Sequence, residues 1–256
     1  MVKLNDMRTA FRLILLMLGL GLVVACYAFL QTASAAEPEQ SVSANSALSM
    51  LQQGNERFVD GTMLHPNAGC ERREETSTGG QHPFVTVLAC SDSRVPVEMV
   101  FDQGIGDVFV VRVAGNVADT DEIGSIEYGA GHLKTPLVVV MGHTQCGAVT
   151  AVCTNAEVGG SIPLLVDNIV PAVTSARAAH PDASDTALVP FAIEENVWHS
   201  IEQLLENSSE VRELVHAGSC MVVGAVYDIN SGTIHWLGPH PKQADFIEHQ
   251  PQATEN

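Results

Sequence analysis

Residues 83–90, PFVTVLAC, form an apolar run of strand length that ends in a cysteine. Three more apolar runs follow, and helix-like segments lie between the second and the third and between the third and the fourth. Strands that are nearly continuous in Val, Ile and Leu and that alternate with helices are typical of a parallel sheet covered on both faces. The sequence therefore predicts an α/β fold with a mostly parallel central sheet, whose further strands are 107–113 (DVFVVRV), 135–143 (TPLVVVMGH) and 219–228 (SCMVVGAVYD).

Other elements are predicted on either side of these strands. Residues 43–61, SANSALSMLQQGNERFVDG, have apolar residues at helical spacing and a terminal glycine, which predicts an N-terminal amphipathic helix. The polar, Gly-rich stretch 62–82 is predicted as a connecting loop. Residues 232–238, GTIHWLG, are predicted as a last, antiparallel edge strand. The polar tail, 241–256, is predicted to fray.

Residues 1–36 have the pattern of an export signal. Three basic residues precede an unbroken apolar run, 13–30, and small residues follow it. That order predicts a signal peptide with a cleavage site. The folded catalytic domain, predicted to span residues 37–240, would then lie in the periplasm.

Two alternatives for this N-terminal segment remain open. The apolar run is long enough to cross a bilayer, which takes roughly 18–20 residues, so the segment could be retained as a membrane anchor. Residues 23–26, VVAC, also resemble a bacterial lipoprotein box, in which Cys26 would be lipidated. Both alternatives attach the protein to a membrane only through its N-terminus and leave the folded domain outside the cytoplasm.

The charge of the chain argues against nucleic acid as a partner. Its 256 residues contain 12 Lys and Arg against 30 Asp and Glu, a formal net charge of −18. A phosphate backbone would repel such a protein on average. The length is ample for one sizeable core and short for two, so we expect one catalytic domain that acts on a small molecule.

Two of the predicted strands end in metal-ligand residue types. The first ends at Cys90, and the third ends at His143, with Cys146 three residues further on. Chemistry gathers at the carboxyl ends of parallel strands, and a His and a Cys three apart on a turn that opens a helix face one side. A set of two cysteines and one histidine leaves a fourth zinc position open for water, which is the catalytic pattern. The sequence therefore predicts one Zn²⁺ per chain.

An acid and a base follow the first ligand, at Asp92 and Arg94. Zinc lowers the pKa of bound water from about 16 to about 7, and the resulting hydroxide must be aimed at its target. An ionised carboxylate that stays off the metal can accept the hydroxide's hydrogen, and a bidentate arginine would keep it ionised. A surface salt bridge is the alternative, but the neighbouring ligand residues favour an orienting pair.

Three segments in this order, ACSDSRVP, VFVVRVAGN and GSIEYGAGHLKTPLVVVMGHTQCGAV, closely resemble the β-class carbonic anhydrases, and the resemblance covers roughly residues 45–238. It implies an α/β enzyme that interconverts carbon dioxide and bicarbonate by zinc-bound hydroxide. It also implies an obligate homodimer or larger homo-oligomer, with the helix at 43–60 packed as an arm on the partner subunit. The family signature, Cys-x-Asp-x-Arg and then His-x-x-Cys, is matched by Cys90, Asp92, Arg94, His143 and Cys146.

The resemblance also implies further details of the site. In some bacterial members, a tryptophan three residues before the first ligand helps to form an inhibitory bicarbonate site, in which the aspartate displaces water from zinc. This chain has Val87 at that position. We therefore expect the constitutively open type of site, in which Asp92 stays paired with Arg94. Residues expected to line the substrate pocket are Gln103, Tyr128 and Gly147.

Other functions stay open beside this one. A relative with the same ligands could hydrolyse carbon disulfide or carbonyl sulfide, or the chain could be a zinc-binding or bicarbonate-binding module without turnover. The orienting pair argues against such a module, because a structural site needs no orienting acid. Of the other cysteines, Cys153 and Cys220 are predicted as small core residues, and Cys70 could form a disulfide with one of them.

Overall fold

A five-stranded sheet forms the centre of the computed structural model, which describes residues 42–248. The strands lie in the order β2-β1-β3-β4-β5; the first four in this order are mutually parallel, and the last is antiparallel to its neighbour. This confirms the predicted sheet and its antiparallel edge strand. The predicted leader, 1–36, lies outside the described residues. The strands are β1 (Val85–Cys90), β2 (Val108–Val113), β3 (Leu137–His143), β4 (Met221–Tyr227) and β5 (Ile234–Gly238).

Helices cover both faces of the sheet. Every residue of β1 and β3 is buried, and successive side chains point to opposite faces because the strand period is two. In the part of the chain that the structure describes, none of the helices combines the length and the apolar character that crossing a bilayer requires. The helices are α1 (Ala44–Asp60), α2 (Cys70–Gly79), α3 (Val97–Val100), α4 (Thr120–Glu127), α5 (Gly147–Cys153), α6 (Ile162–Val166), α7 (Val170–Ala179), α8 (Asp185–Asn207), α9 (Ser209–His216) and α10 (Gln243–Glu248).

The apolar face of α1 packs on the sheet of its own chain. Ala47 and Leu51 are fully buried there. The Asn55 side chain donates to the Gly232 carbonyl at 2.8 Å and accepts from the Ile234 amide at 3.0 Å. The chain's own sheet therefore covers Ala47 and Leu51, while Met50 and Val59 of the same helix are exposed. Packing of α1 as an arm on a partner subunit stays a prediction.

Close contact between α1 and the turn after α3 leads to a stability prediction. A Cβ atom added at Gly54 would lie 1.9 Å from the Phe101 carbonyl oxygen. Because that contact is with backbone, we expect Gly54→Ala to lower the free energy of unfolding by about 1–3 kcal/mol. Urea denaturation at one fixed protein concentration measures the change.

Gly124 in α4 provides the matched control for Gly54. A Cβ atom there would meet nothing within 4 Å, so Gly124→Ala should leave stability unchanged or raise it by up to about 1 kcal/mol. Equal stability of the two variants would contradict the packing of α1 described above.

The stretch 62–82 is not a loop throughout, because α2 forms within it. None of the residues of α2 is buried, so this helix has no apolar periodicity that sequence inspection could detect. Polar contacts hold it instead: Arg72 donates to the Ile105 carbonyl at 2.8 Å and pairs with Asp107 at 3.3 Å. The loop prediction is therefore wrong for residues 70–79.

The beginning of the C-terminal tail is also ordered into a helix. Phe246, in α10, packs against the core cluster beneath α8, and its ring centroid lies 5.3 Å from that of His240. The prediction of a frayed tail is wrong for residues 243–248, because one aromatic side chain anchors the segment. The remaining tail residues, 249–256, lie outside the described part.

The five cysteines within residues 42–248 are all free. Cys153 and Cys220 are buried, as predicted, with exposed fractions of 0% and 5%. Cys70 is exposed at the start of α2 and forms a disulfide with neither of them.

Candidate metal centre

The three predicted ligands lie together at the carboxyl edge of the sheet. Cys90 ends β1, His143 ends the adjacent parallel strand β3, and Cys146 caps the N-terminus of α5. Their ligand atoms all lie within 4.8 Å of one another, and all three residues are buried. Among residues 42–248 this is the one group of His, Cys, Asp and Glu close enough to hold a metal ion in this way.

The imidazole of His143 is oriented for metal binding by the turn that follows it. Its Nδ1 lies 2.9 Å from the Thr144 carbonyl oxygen. Because a carbonyl only accepts hydrogen bonds, Nδ1 carries the proton and Nε2 keeps its lone pair. That Nε2 atom is buried without a hydrogen-bond partner, which is costly unless a metal occupies the lone pair. Thr144 is itself held, since its amide donates to the Tyr227 carbonyl at 2.9 Å.

A hydrogen bond couples the two sulfurs in the metal-free protein, which favours one proton shared between them. A hydrogen bond from Cys146 lowers the pKa of Cys90 to about 4, and the same interaction raises the pKa of Cys146. The Gly115 amide also donates to the Cys90 sulfur, at 3.2 Å. Two sulfurs and one imidazole nitrogen are the donors that zinc prefers. The residues present therefore fit a zinc ion.

This shared proton predicts how zinc binding depends on pH. The hydrogen bond favours the thiolate at Cys90 and the thiol at Cys146, whereas zinc requires both as thiolates. We therefore expect zinc binding at pH 6 to release about one proton per site from the cysteines. As the pH falls through about 4, Cys90 also becomes protonated, so the number released should rise towards two.

Calorimetric zinc titrations in buffers of different ionisation enthalpy give the number of protons released. At pH 6 a water bound to zinc, with a pKa near 7, remains mostly protonated and contributes little. The thiolate absorbance of the metal-free protein in the ultraviolet distinguishes cysteine protons from imidazole protons, and absence of any thiolate at pH 6 would contradict the shared proton.

Asp92 lies beside the three donors as an ionised carboxylate. Its Oδ1 accepts from Arg94 Nε at 2.9 Å and its Oδ2 from Arg94 Nη2 at 2.7 Å. These bonds hold the pKa of Asp92 well below its usual range and raise the pKa of Arg94. Asp92 Oδ2 is 3.9 Å from His143 Nε2. The carboxylate thus stays paired with Arg94 at the edge of the donor cluster.

The structure places the three expected pocket residues in different surroundings. Gln103 is half-buried and donates to the Phe101 carbonyl at 3.0 Å. Tyr128 is exposed, and its ring stacks on that of His132 with centroids 4.8 Å apart. Gly147 opens α5, and a Cβ atom there would meet nothing within 4 Å. Their roles in a substrate pocket stay predictions.

Sequence inspection missed Arg112, which contacts the loop that carries Cys90 and Asp92. Its guanidinium donates to the Cys90 carbonyl at 3.0 Å and to the Asp92 carbonyl at 2.7 Å. The available signal was a single charged residue in the apolar run VFVVRV. It could not be interpreted without knowing that β1 and β2 are neighbours.

Comparisons with known proteins agree with this fold and site. A family model described as carbonic anhydrase matches residues 85–234, from β1 to the start of β5. A carbonic anhydrase of Mycolicibacterium smegmatis is 38% identical over 193 residues, which cover 74% of this chain and 91% of that protein.

Two solved structures show the same similarity in three dimensions. The β-carbonic anhydrase CafA of Aspergillus fumigatus has a TM-score of 0.61 and 28% identity, over 79% of this chain and 96% of that one. Tetrameric β-carbonic anhydrases of Sordaria macrospora give a TM-score of 0.57 and 27% identity, over 76% of this chain and 98% of theirs. The chain belongs to the β-class carbonic anhydrase family of enzymes.

Proposed function

We propose that this protein is a zinc enzyme that interconverts carbon dioxide and bicarbonate. Membership of the carbonic anhydrase family supports the reaction. The observation that carries the proposal is the buried set of Cys90, His143 and Cys146 with an ionised Asp92 beside it. A metal site with no catalytic role would not require such a carboxylate.

Each residue of the centre has a separate task in this proposal. The sulfurs of Cys90 and Cys146 and Nε2 of His143 hold the zinc, and the Thr144 carbonyl keeps the imidazole in the required tautomer. Bound in this set, zinc supplies Lewis-acid chemistry, because it lowers the pKa of a coordinated water from about 16 to about 7.

Asp92 would orient the attacking oxygen. It accepts a hydrogen bond from that oxygen and so turns a lone pair towards the carbon of carbon dioxide. Arg94 keeps Asp92 ionised through its two side-chain hydrogen bonds. Water and carbon dioxide give bicarbonate and a proton, and the proton passes to solvent. The walls of the substrate pocket would include Gln103, Tyr128 and Gly147.

Stopped-flow hydration of carbon dioxide, together with elemental analysis of zinc, tests this function. We expect rapid hydration by protein that contains about one zinc per chain. Full zinc occupancy without hydration would overturn the proposed reaction, and turnover of carbon disulfide or carbonyl sulfide would then identify a different one. Absence of zinc after reconstitution would overturn the ligand assignment.

We also propose that the protein is a homodimer or a homo-oligomer built from dimers. The tetrameric state named for the similar Sordaria macrospora proteins supports this. Light scattering coupled to size-exclusion chromatography measures the mass in solution. A monomeric mass at micromolar concentration would contradict the proposal.

Export of the protein is a further proposal, which the basic, apolar and small-residue pattern of residues 1–36 supports. We expect the protein in the periplasmic fraction with residues 1–36 removed. Intact mass analysis would distinguish cleavage from lipidation at Cys26 and from a retained anchor. Recovery in the cytoplasmic fraction would contradict export.

A further inference from the structure

Arg112 is a charged residue at the metal centre to which the mechanism above gives no role. It lies on β2 directly opposite Ala89 of β1, and it is exposed. Its Nε donates to the carbonyl of Cys90 at 3.0 Å, and its Nη2 donates to the carbonyl of Asp92 at 2.7 Å. One side chain therefore bridges the main chain on both sides of Ser91.

These bonds link a metal ligand to the orienting acid. Cys90 supplies a sulfur to the metal set, and Asp92 carries the carboxylate that must lie near the metal without coordinating it. Only Ser91 separates the two, so the rotation of two peptide planes determines where the carboxylate lies relative to the sulfur. Arg112 holds the carbonyl oxygen of the first of these planes, that of Cys90, and the carbonyl oxygen of Asp92 in the plane that follows them.

An arginine suits this task because its guanidinium is planar and rigid. Two N–H groups of one fork fix the two acceptors relative to each other, and hydrogen bonds from a charged donor are stronger than neutral ones. Within residues 42–248, no carboxylate lies within 4.0 Å of the Arg112 guanidinium. Its hydrogen bonds to this loop thus do not compete with an ion pair in the chain.

Backbone hydrogen bonds anchor the main chain on either side of the segment that Arg112 bridges. The Ser91 amide donates to the Val113 carbonyl at 3.1 Å, which continues the pairing of β1 with β2 by one residue. The Val95 amide donates to the Asp92 carbonyl at 3.0 Å, which closes the turn on the far side. Arg112 joins these two anchor points.

We propose that Arg112 is a positioning residue that fixes the Asp92 carboxylate relative to the metal ligand Cys90. This inference rests on the proposed function, because it assigns Arg112 an effect on catalysis through Asp92. It predicts that the zinc-loaded Arg112→Met protein keeps its metal but holds Asp92 in a displaced position.

Kinetics of matched variants provide the first test. We expect Arg112→Met to retain about one zinc per chain and to lose about 10- to 100-fold in kcat/KM, mostly in kcat. Arg112→Lys, whose ammonium donates hydrogen bonds without the rigid planar fork of the guanidinium, should recover part of this loss. The control is Arg73→Met, which removes an exposed arginine that contacts Cys70 on α2 and should leave kcat/KM unchanged.

A double-mutant cycle shows whether the effect passes through Asp92. Added to Asp92→Asn, Arg112→Met should change the remaining kcat/KM by no more than about twofold. Multiplication of the two losses would overturn the proposal, because it would show independent effects. Wild-type kcat/KM in Arg112→Met would overturn it as well.

A crystal structure of the zinc-loaded Arg112→Met protein tests positioning without any activity measurement. We expect the Asp92 carboxylate to move by about 1 Å or more, a displacement large enough to cost about 100-fold in rate. A carboxylate within about 0.5 Å of its wild-type position would overturn the proposal. Lack of hydration by zinc-loaded wild-type protein would instead overturn the proposed function, and this structure would still decide whether Arg112 positions Asp92.

Discussion

The Cys146→Ser protein is expected to contain far less than one zinc per chain and to show no measurable hydration of carbon dioxide. Cys146 is one of three donors in a buried set. A serine hydroxyl remains protonated at neutral pH and does not replace a thiolate as a ligand of zinc. The two remaining donors cannot complete a three-ligand catalytic site, so both metal and activity should be lost.

Cys153→Ser is the matched control for this loss. Cys153 lies seven residues further along, at the end of α5, and is fully buried. Its replacement also puts a hydroxyl in place of a buried thiol, but we expect it to keep zinc and turnover with some loss of stability. Elemental analysis and stopped-flow assays compare the two variants. A zinc-loaded, active Cys146→Ser protein would show that Cys146 is not a ligand.

Asp92→Asn is expected to keep zinc and to lose turnover by about 100-fold or more, the usual scale for a positioned acid–base group. Asparagine has nearly the same shape, but its amide is neutral and presents one acceptor oxygen. It therefore cannot hold the charge-assisted pair with Arg94 and still orient the attacking oxygen. Zinc content and kcat measured on the same preparation check this separation of metal binding from catalysis.

The wild-type protein should show no loss of activity from titration of Asp92 near neutral pH. Pairing with Arg94 lowers the pKa of Asp92, so the carboxylate stays ionised as the pH falls through the mildly acid range.

For the Asp92→Asn variant, the control for a simple change of charge is Asp121→Asn, which changes an exposed aspartate in the first turn of α4. Undiminished hydration by Asp92→Asn would remove the orienting role.

The metal centre could be predicted from sequence because its residues end predicted strands. Cys90 and His143 follow unbroken apolar runs, and Cys146 is three residues from His143. The carboxyl ends of parallel strands lie at one edge of a sheet, so strand prediction placed these side chains at that edge. The pairing of β1 with β3 then brings them together. The bidentate pair of Asp92 with Arg94 is equally local, since the two residues are only two positions apart.

Elements without apolar periodicity could not be predicted in the same way. Helix α2 is held by Arg72 and Asp107 rather than by a buried face, so its sequence resembles that of a loop. The helical periodicity of α1 was clear, but periodicity shows only that a face is buried and not which surface covers it. The structure places Ala47 and Leu51 of that face on the sheet of the same chain.

By itself the sequence determined the parallel sheet, its antiparallel edge strand and the identity of the candidate metal donors, because these depend on local periodicity and on residue type at strand ends. Only the tertiary structure decided which strands are neighbours, and therefore that Arg112 of β2 contacts the main chain at Cys90 and Asp92. The physical reason is that lateral pairing brings together residues more than 20 positions apart through backbone hydrogen bonds, and every residue type except proline can both donate and accept these bonds.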